Sequence, residues 1–238
     1  MRAFLWFTFA GLLAVRLPAT ELSLQSGPQR VALLELFTSE GCSSCPPAEA
    51  WLGTLRVAPG LWRDFVPIAF HVDYWNQLGW PDGFSSAAFT QRSYGYAKAW
   101  GNRSVYTPCL VQDGRESRVG QLPSAVEKPA GLLTARYNGT VVNVTYAPGL
   151  QAAADSGYDV HAALLGSGIQ SVVTAGENRG RTLPHDFVVL ALIHGSLHEP
   201  LTLPRSEQAN RAPRLALAVW VTRSGHLEPL QATGNWLD

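Results

Sequence analysis

The feature that most constrains the fold is a pair of cysteines placed between a strand pattern and a helix pattern. An apolar run over residues 29–38 precedes Cys42-Ser43-Ser44-Cys45, and apolar residues at helical spacing follow over residues 48–55. A helix that begins just after the cysteines turns free N–H groups and the positive end of its dipole towards them. Both features stabilise a thiolate, so the order strand, CxxC, helix favours a redox couple.

Two other interpretations of the cysteine pair stay open at this point. The pair can be a static disulfide, although so short a loop adds little stabilisation by restricting the unfolded chain. It can also be part of a metal site, which needs further ligands such as Cys109 or His71. No second CxxC or CxxH occurs in the sequence to complete such a site.

The first half of the chain alternates strand and helix patterns. Further strands are predicted over residues 63–74 and 104–112, with a helix over 85–100 between them. Asp113-Gly114 is a turn signal, residues 116–119 are predicted to return as the hairpin partner, and residues 122–133 are predicted as a helix. The order βαβαββα indicates an α/β unit over residues 29–133.

The second half is predicted to be rich in strands. Short apolar runs separated by Gly, Pro and Ser cover residues 137–146, 159–165, 169–175, 187–194 and 215–222. This spacing is typical of a small antiparallel sandwich. We therefore expect a second, smaller, β-rich domain over residues 136–238.

The N-terminal segment predicts export. Arg2 is followed by a mainly apolar run over residues 3–15, which is shorter than the roughly 20 residues that span a bilayer. Residues 1–20 are interpreted as a signal peptide, with an uncleaved anchor as the alternative. The expected location is periplasmic or secreted, where a nearby cysteine pair is normally oxidised.

Charge gives no indication of a nucleic-acid or membrane partner. The chain carries 18 basic and 18 acidic residues, and nucleic-acid-binding proteins usually have a basic excess. We expect no nucleic acid as a partner and no membrane association after removal of the signal peptide.

Pro108 lies in a segment, SVYTPCLVQDG, that otherwise has the pattern of a strand. Proline cannot donate to a sheet, and a cis peptide bond in a tight loop resolves the conflict, with an edge-strand kink as the alternative. The arrangement of CxxC, HVDYW, a helix, VYTP and a DG turn resembles the thioredoxin superfamily. The longer segments ELFTSEGCSSCPPAEAWL, AFHVDYWNQLGWPDGFSSAAFTQRSYGYA, SVYTP and GENRGRTL resemble a secreted bacterial family of unknown function, DUF1223.

The resemblance implies a thioredoxin-like N-terminal domain that exchanges thiols and disulfides. Cys42 is then the attacking thiol, Cys45 the resolving thiol, and Thr107 with the cis-proline Pro108 contacts a substrate. The substrate is a protein or small-thiol disulfide, the electron partner is undefined, and no organic cofactor is implied because the electrons reside in the sulfurs. A non-enzymatic binding module with a static Cys42–Cys45 bridge and a periplasmic metal-handling protein are the alternatives.

Several residues are candidates for shifting the pKa of the cysteine thiols. Glu35, inside the first strand, is predicted to lie beneath them or to be a structural carboxylate, and His71 with Asp73 is predicted as a pair near the thiol or as a polar strand end. Ser43 and Ser44 can donate to the Cys42 thiolate or cap the helix.

Three further side chains are candidates for the surroundings of the pair. Trp75 and Trp80 are predicted to line a substrate groove or to pack into the core. Cys109 is a small apolar filler or a third thiol able to form mixed disulfides.

Overall fold

The computed structural model describes residues 21–123, 128–149 and 157–237. The predicted signal peptide lies outside these residues. Among the described residues, no helix is long and apolar enough to cross a membrane.

The described chain is a mixed α/β structure dominated by strands. Its two α-helices are α1 (Pro46–Thr54) and α2 (Ala87–Ala99), and single 3₁₀ turns occupy Leu55–Val57, Asn76–Leu78 and Glu207–Arg211. The strands are β1 (Leu22–Gln25), β2 (Ala32–Thr38), β3 (Phe65–His71), β4 (Cys109–Gln112), β5 (Arg115–Ser117), β6 (Leu132–Tyr137), β7 (Val141–Ala147), β8 (Tyr158–Ser167), β9 (Ile169–Val172), β10 (Thr182–His185), β11 (Val188–Ser196), β12 (Leu201–Thr202), β13 (Arg214–Arg223) and β14 (Pro229–Trp236).

An eight-stranded sheet runs through both halves of the chain. Its order is β14-β13-β8-β11-β3-β2-β4-β5, with β3 parallel to both β2 and β11. The strands β8, β11, β13 and β14 thus extend the sheet of the first half. The large sheet crosses the expected boundary near residues 133–136, because Phe187 and Trp220 share one hydrophobic cluster with Phe37 and Phe70. A smaller sheet, β1-β6-β7-β12, packs with a second cluster.

Local signals account for the elements around the cysteines. Helix α2 is capped by Ser86, whose Oγ accepts a hydrogen bond of 3.2 Å from the Ala88 N–H. The predicted hairpin is present as β4 and β5, with Asp113 and Gly114 at positive φ values of 50° and 81°. The Thr107-Pro108 peptide bond is cis, as predicted.

The helix predicted over residues 122–133 is not observed. Leu132 and Leu133 begin strand β6, and Gly131 before them has a φ of 91°, which breaks a helix. Residues 124–127 lie outside the described part of the chain. A run as short as these two leucines has no hydrophobic period of its own, so its sequence does not distinguish a helix from a strand.

The side chains of the central strand β2 point to the two opposite faces of the sheet. We call these the α2 face and the α1 face, after the helix on each side. Side chains alternate along a strand, so Glu35 and Phe37 point one way and Thr38 the other. Phe37 contacts the rings of Phe70 and Tyr96 on the α2 face. Thr38 donates its hydroxyl to Glu49 of α1, at 2.7 Å, on the α1 face.

Candidate redox site and the buried charges beside it

The cysteine pair lies in the turn between β2 and α1 and is joined as a disulfide. The Cys42 N–H donates to the Ser39 carbonyl at 3.2 Å, and the Cys45 N–H donates to the Cys42 carbonyl at 3.3 Å. Cys42 is 1% exposed and Cys45 is fully buried. The pair is therefore packed at the mouth of the helix, with its sulfurs covered.

Predicted substrate-binding residues surround Cys42. Its Sγ lies 3.8 Å from the Thr107 carbonyl oxygen and 3.3 Å from the Ser44 Oγ. The indole of Trp75 donates to the Thr107 Oγ1 at 2.8 Å and so holds the loop that precedes Pro108. The structure thus brings Thr107, Ser44 and Trp75 together around the first sulfur.

A turn from the second half of the chain holds the cysteine loop. The side-chain amide of Asn178 donates to the carbonyls of Glu40, at 2.9 Å, and Cys42, at 3.0 Å. Its neighbour Glu177 accepts from the Ser43 N–H at 3.0 Å, and hydrogen bonds from Ser43 lower the pKa of this carboxyl. We call residues 176–180, which include both side chains, the docking turn.

The start of α1 offers fewer amides to the sulfurs than the sequence predicts. Pro46 and Pro47 occupy the first two helical positions and carry no N–H. The N–H groups of Ala48 and Glu49 donate to the Cys45 carbonyl, at 2.9 and 3.2 Å. The dipole of α1 remains as a source of positive potential, but converging amides do not stabilise Cys42.

Five ionisable side chains are buried next to the cysteine loop, and we call them the buried charge cluster. They come from the turn after β2, from α1, from the end of β3, from the following loop and from the end of β10. The members, with exposed fractions of 0 to 7%, are Glu40, Glu49, His71, Asp82 and His185. Glu40 precedes Cys42 by two residues and Glu49 follows Cys45 by four, so the cluster adjoins the cysteine pair.

Glu49 lies between the two histidines of the cluster. Its Oε2 lies 2.5 Å from the His185 Nδ1 and 4.0 Å from the His71 Nε2, and the two imidazole centroids are 5.2 Å apart. On the outer side of each ring a second carboxylate is present. Asp82 Oδ2 lies 2.7 Å from the His71 Nδ1, and Glu40 Oε1 lies 3.0 Å from the His185 Nε2.

Mutual attraction keeps these groups charged despite burial. Burial alone raises the pKa of Glu49, but its hydrogen bond with His185 and the charges of both histidines outweigh burial and lower it. Burial alone lowers the pKa of His185, but hydrogen bonds with Glu40 and Glu49 raise it to about 10. Burial likewise lowers the pKa of His71, but the charge and hydrogen bond of Asp82 and the charge of Glu49 together outweigh burial and raise it.

Residues 33–222 match the family described as "Protein of unknown function (DUF1223)". This chain belongs to the DUF1223 family. No curated protein matches it significantly.

Two solved structures resemble this DUF1223 protein. One is a structural-genomics crystal structure of an Agrobacterium tumefaciens protein, 25% identical, with a TM-score of 0.57 over 89% of this chain and 96% of the other. The other is HBP35 of Porphyromonas gingivalis, 13% identical, with a TM-score of 0.51 over 90% of this chain and 77% of the other. The second likeness concerns the fold alone.

Two predicted tuning residues of the DUF1223 protein have partners other than the cysteines. Glu35 lies on the α2 face and accepts hydrogen bonds from Arg92 Nε and the Tyr96 hydroxyl, each at 2.5 Å. Asp73 accepts from the Thr90 hydroxyl at 2.5 Å, and the predicted His71–Asp73 pair is wrong because His71 pairs with Asp82. Strand β3 ends at His71, so Asp73 already lies in the next loop, beside α2.

Trp80 and Cys109 also take packing positions. The Trp80 indole donates to Glu40 Oε2 at 2.7 Å and so belongs to the surroundings of the buried charge cluster. Cys109 is a free, buried thiol paired with Phe37 across β4 and β2, and burial raises its pKa to about 11. These contacts favour the filler interpretation of Cys109.

Sequence reasoning missed four members of the buried charge cluster. Only His71 was singled out, whereas Glu40, Glu49, Asp82 and His185 were not. Glu49 alone has a local sequence signal of burial. It lies between Ala48 and Leu52, two apolar residues on the buried side of a short helix. A charged residue on the buried side of a helix requires a partner, but the sequence does not say which.

Proposed function

We propose that this DUF1223 protein is an exported thiol–disulfide oxidoreductase that uses Cys42 and Cys45 on a thioredoxin-like fold. The observation that carries the proposal is the position of the disulfide. It lies between β2 and α1, and the carbonyl before the cis-proline Pro108 is 3.8 Å from Cys42 Sγ. Export rests on the sequence of the N-terminal segment alone.

The reaction begins from the reduced pair. The Cys42 thiolate attacks one sulfur of a substrate disulfide, that S–S bond breaks, and the leaving sulfur takes the electron pair and a proton. Cys45 then attacks Cys42 Sγ in the mixed disulfide, which releases the second substrate thiol and forms the Cys42–Cys45 bond. Two electrons pass to the substrate, and no organic cofactor is needed.

Cys42 is the better candidate for the first attack. Its Sγ lies 3.3 Å from the Ser44 hydroxyl, which can donate to a thiolate. Because Cys42 is only 1% exposed in the disulfide form, a substrate reaches the sulfur when the loop that carries Thr107 moves aside. The Trp75–Thr107 hydrogen bond holds that loop, and its loss is expected to change access to the sulfur.

The surroundings of the pair favour electron donation over electron withdrawal. A strongly oxidising couple needs a stabilised thiolate, but Pro46 and Pro47 remove two amides and Glu177 places a carboxylate beside Ser43. We therefore expect a reduction potential nearer the about −270 mV of thioredoxin than the about −120 mV of DsbA.

Burial favours a second candidate, a non-enzymatic binding module with a static disulfide. Both sulfurs are almost completely covered, as they are in structural bridges. A static bridge has a potential below about −300 mV and resists the glutathione pool.

Redox titration and insulin reduction separate the two candidates. The wild-type chain is equilibrated in dithiothreitol buffers to obtain the potential and is then assayed for insulin reduction. Cys42→Ser should abolish activity, whereas the matched variant Cys109→Ala should retain it. A potential below about −300 mV, or equal activity of wild type and Cys42→Ser, would overturn the enzymatic proposal.

A further inference from the structure

Three side chains that are distant in sequence place one ligand atom each at a common point beside the cysteine loop. They are Glu49 of α1, His71 at the end of β3 and His185 at the end of β10. Their ligand atoms all lie within 4.8 Å of one another, and all three residues are buried. One carboxylate oxygen and two imidazole nitrogens form a donor set used by zinc in proteins.

A carboxylate lies on the outer side of each histidine ring, away from Glu49. Asp82 Oδ2 is hydrogen-bonded to His71 Nδ1 at 2.7 Å, and Glu40 Oε1 is an ion-pair partner of His185 Nε2 at 3.0 Å, without hydrogen-bond geometry. The opposite nitrogens, His71 Nε2 and His185 Nδ1, therefore face Glu49. Metal-binding histidines generally show this arrangement, with the outer nitrogen bound to a carboxylate or carbonyl.

The carboxylates of the cluster are themselves held in place. The Thr38 hydroxyl donates to Glu49 Oε1 at 2.7 Å, which leaves Oε2 for the histidines. Asp82 accepts from the N–H groups of Glu40 and Phe84, at 2.8 and 2.9 Å. The donor set is thus oriented by a surrounding shell of hydrogen bonds.

One nitrogen of this set has no protein partner. The His71 Nε2 is buried and has no hydrogen-bond partner among the described residues, although it points towards Glu49 Oε2, 4.0 Å away. His71 as a whole is 0% exposed. A buried polar atom in this state is uncommon in native proteins, and an ion bound between His71 and Glu49 would satisfy it.

We propose that Glu49, His71 and His185 bind a divalent transition-metal ion of the Zn²⁺ class. Mixed nitrogen and oxygen donors select such ions over Mg²⁺ and Ca²⁺, which prefer oxygen. Ligand atoms about 2.0–2.1 Å from a tetrahedral ion are about 3.3 Å from one another, between the 2.5 and 4.0 Å found here. The ion takes the place of any protons at His71 Nε2 and His185 Nδ1. Its charge of +2 offsets most of the charge of −3 on the three carboxylates of the cluster.

The ion ties together segments from both halves of the chain. It joins α1 and β3 to β10, next to the cysteine loop, and all three ligands are buried. Three protein ligands leave the fourth tetrahedral position of the ion to water or another small ligand. The inference is independent of the proposed redox activity. It also differs from a cysteine-ligated site, because Cys42 and Cys45 are joined to each other.

The test uses the full chain, freed of metal with a chelator and titrated with Zn²⁺ alone. We expect one Zn²⁺ per chain by elemental analysis, a rise in Tm on addition of Zn²⁺, and no rise with Mg²⁺. Glu49→Gln, which keeps size and removes charge, should lose stoichiometric binding. Asp82→Asn should weaken binding about 10- to 100-fold, as expected for a group that orients a ligand.

Two control variants separate this site from other sources of binding. His198→Gln removes an exposed histidine and should bind Zn²⁺ like wild type. Cys42→Ser/Cys45→Ser has no redox couple and should also retain the ion, so failure of the redox proposal and failure of the metal proposal are distinguishable. Loss of Zn²⁺ in the double cysteine variant would overturn the assignment of ligands.

A cobalt spectrum covers the case in which Glu49→Gln does not fold. Wild-type protein loaded with Co²⁺ should show visible d–d bands without the charge-transfer band of a cobalt thiolate. A thiolate band, substoichiometric Zn²⁺ in wild type, or unchanged binding by folded Glu49→Gln would each refute the site.

Discussion

The two faces of the central sheet each bury charged side chains, but they do so in different ways. On the α2 face, Glu35 is fully buried and receives hydrogen bonds from Arg92 and Tyr96. The Arg92 guanidinium also lies over the rings of Phe70, Tyr96 and Trp220, at 5.4 to 5.6 Å from their centroids. On the α1 face, the buried charge cluster combines three carboxylates with two histidines, and within the described part of the chain His71 Nε2 and His185 Nε2 have no hydrogen-bond partner.

This difference distinguishes a structural ion pair from a group suited to a ligand. The Glu35–Arg92 pair is balanced in charge and both oxygens of its carboxylate are hydrogen-bonded. The buried charge cluster keeps a net charge of −1 even with both histidines protonated. Two of its nitrogens, His71 Nε2 and His185 Nε2, have no hydrogen-bond partner among the described residues. Burial of charge is therefore common to both faces, but the ion pair on the α2 face is balanced in charge and the cluster on the α1 face is not.

Removal of Arg92 is expected to have the largest effect on stability. Arg92→Met leaves the Glu35 carboxylate buried without its cation, which should cost about 3–5 kcal/mol of unfolding free energy in urea titrations. The double variant Glu35→Leu/Arg92→Met should recover most of the loss, because no unpaired charge remains. If Arg92→Met lowered the free energy of unfolding by less than about 1 kcal/mol, the Glu35–Arg92 pair would belong with weak, solvated ion pairs.

In the metal-free chain, the histidines of the two faces should respond to pH in opposite directions. Burial, followed by the charges of Arg92 and His194, lowers the pKa of His161 to about 3, whereas His71 and His185 have raised pKa values. The pKa of a histidine in an unfolded chain is about 6.5. At a pH below this value, His161 binds a proton in the unfolded chain but not in the folded chain. His161 therefore makes stability fall as pH falls from 6.5 towards 3.

We expect His161→Phe to remove about 2 kcal/mol of the acid destabilisation between pH 7 and pH 4.5, at up to about 1.4 kcal/mol per pH unit. The phenyl ring keeps the stacking on Trp220, whose centroid is 5.0 Å from that of His161. Urea unfolding at several pH values measures the effect, with His198→Gln as control. Parallel pH profiles for His161→Phe and wild type would contradict the neutral state of His161.

Loss of Asn178 should have a smaller effect, confined to the α1 face. Asn178→Ala leaves the carbonyls of Glu40 and Cys42 without their side-chain donor, which should cost about 1–2 kcal/mol. The disulfide should also become easier to reduce, because the loop that holds it loosens. Arg179, the exposed next residue of the turn, provides the control, and Arg179→Ala should change neither quantity appreciably. Equal behaviour of the two variants would show that Asn178 does not hold the loop.

Cys109→Ala should have the smallest effect, because this thiol packs on the α2 face away from the redox pair. Thiol–disulfide exchange should be unchanged. In the Cys42→Ser/Cys45→Ser background, alkylation of Cys109 should stay slow at neutral pH and accelerate towards pH 11, in keeping with its raised pKa of about 11. Rapid alkylation at neutral pH would restore the third-thiol interpretation.

Local sequence signals predicted the elements around β2 and failed for contacts between distant segments. Strands β2 and β3, helices α1 and α2, and the β4–β5 hairpin follow from periodicity and turn residues. The pairing of Val188 with Ala69, which places β11 beside β3, joins segments whose own sequences do not specify a partner. An antiparallel sandwich was predicted for the second half because alternating strands look alike whichever sheet they join.

The same limit applies to the candidate site. Cys42, Cys45 and Pro108 lie in motifs that can be recognised along the chain, and Thr107 follows from its neighbour. The buried charge cluster cannot be recognised in this way, since Glu49 and His185 are 136 residues apart. Only the fold brings a helix residue and a strand residue at that separation into contact.

The parallel pairing of β11 with β3 also bears on how such a chain can evolve. Without β11, the backbone groups of β3 around Ala69 would lose their pairing with Val188, and an open strand edge invites association with other chains. Transfer of one half alone to another protein would therefore leave an open edge at this point of the sheet. Insertions and replacements should be better tolerated at the surface loops than at this pairing.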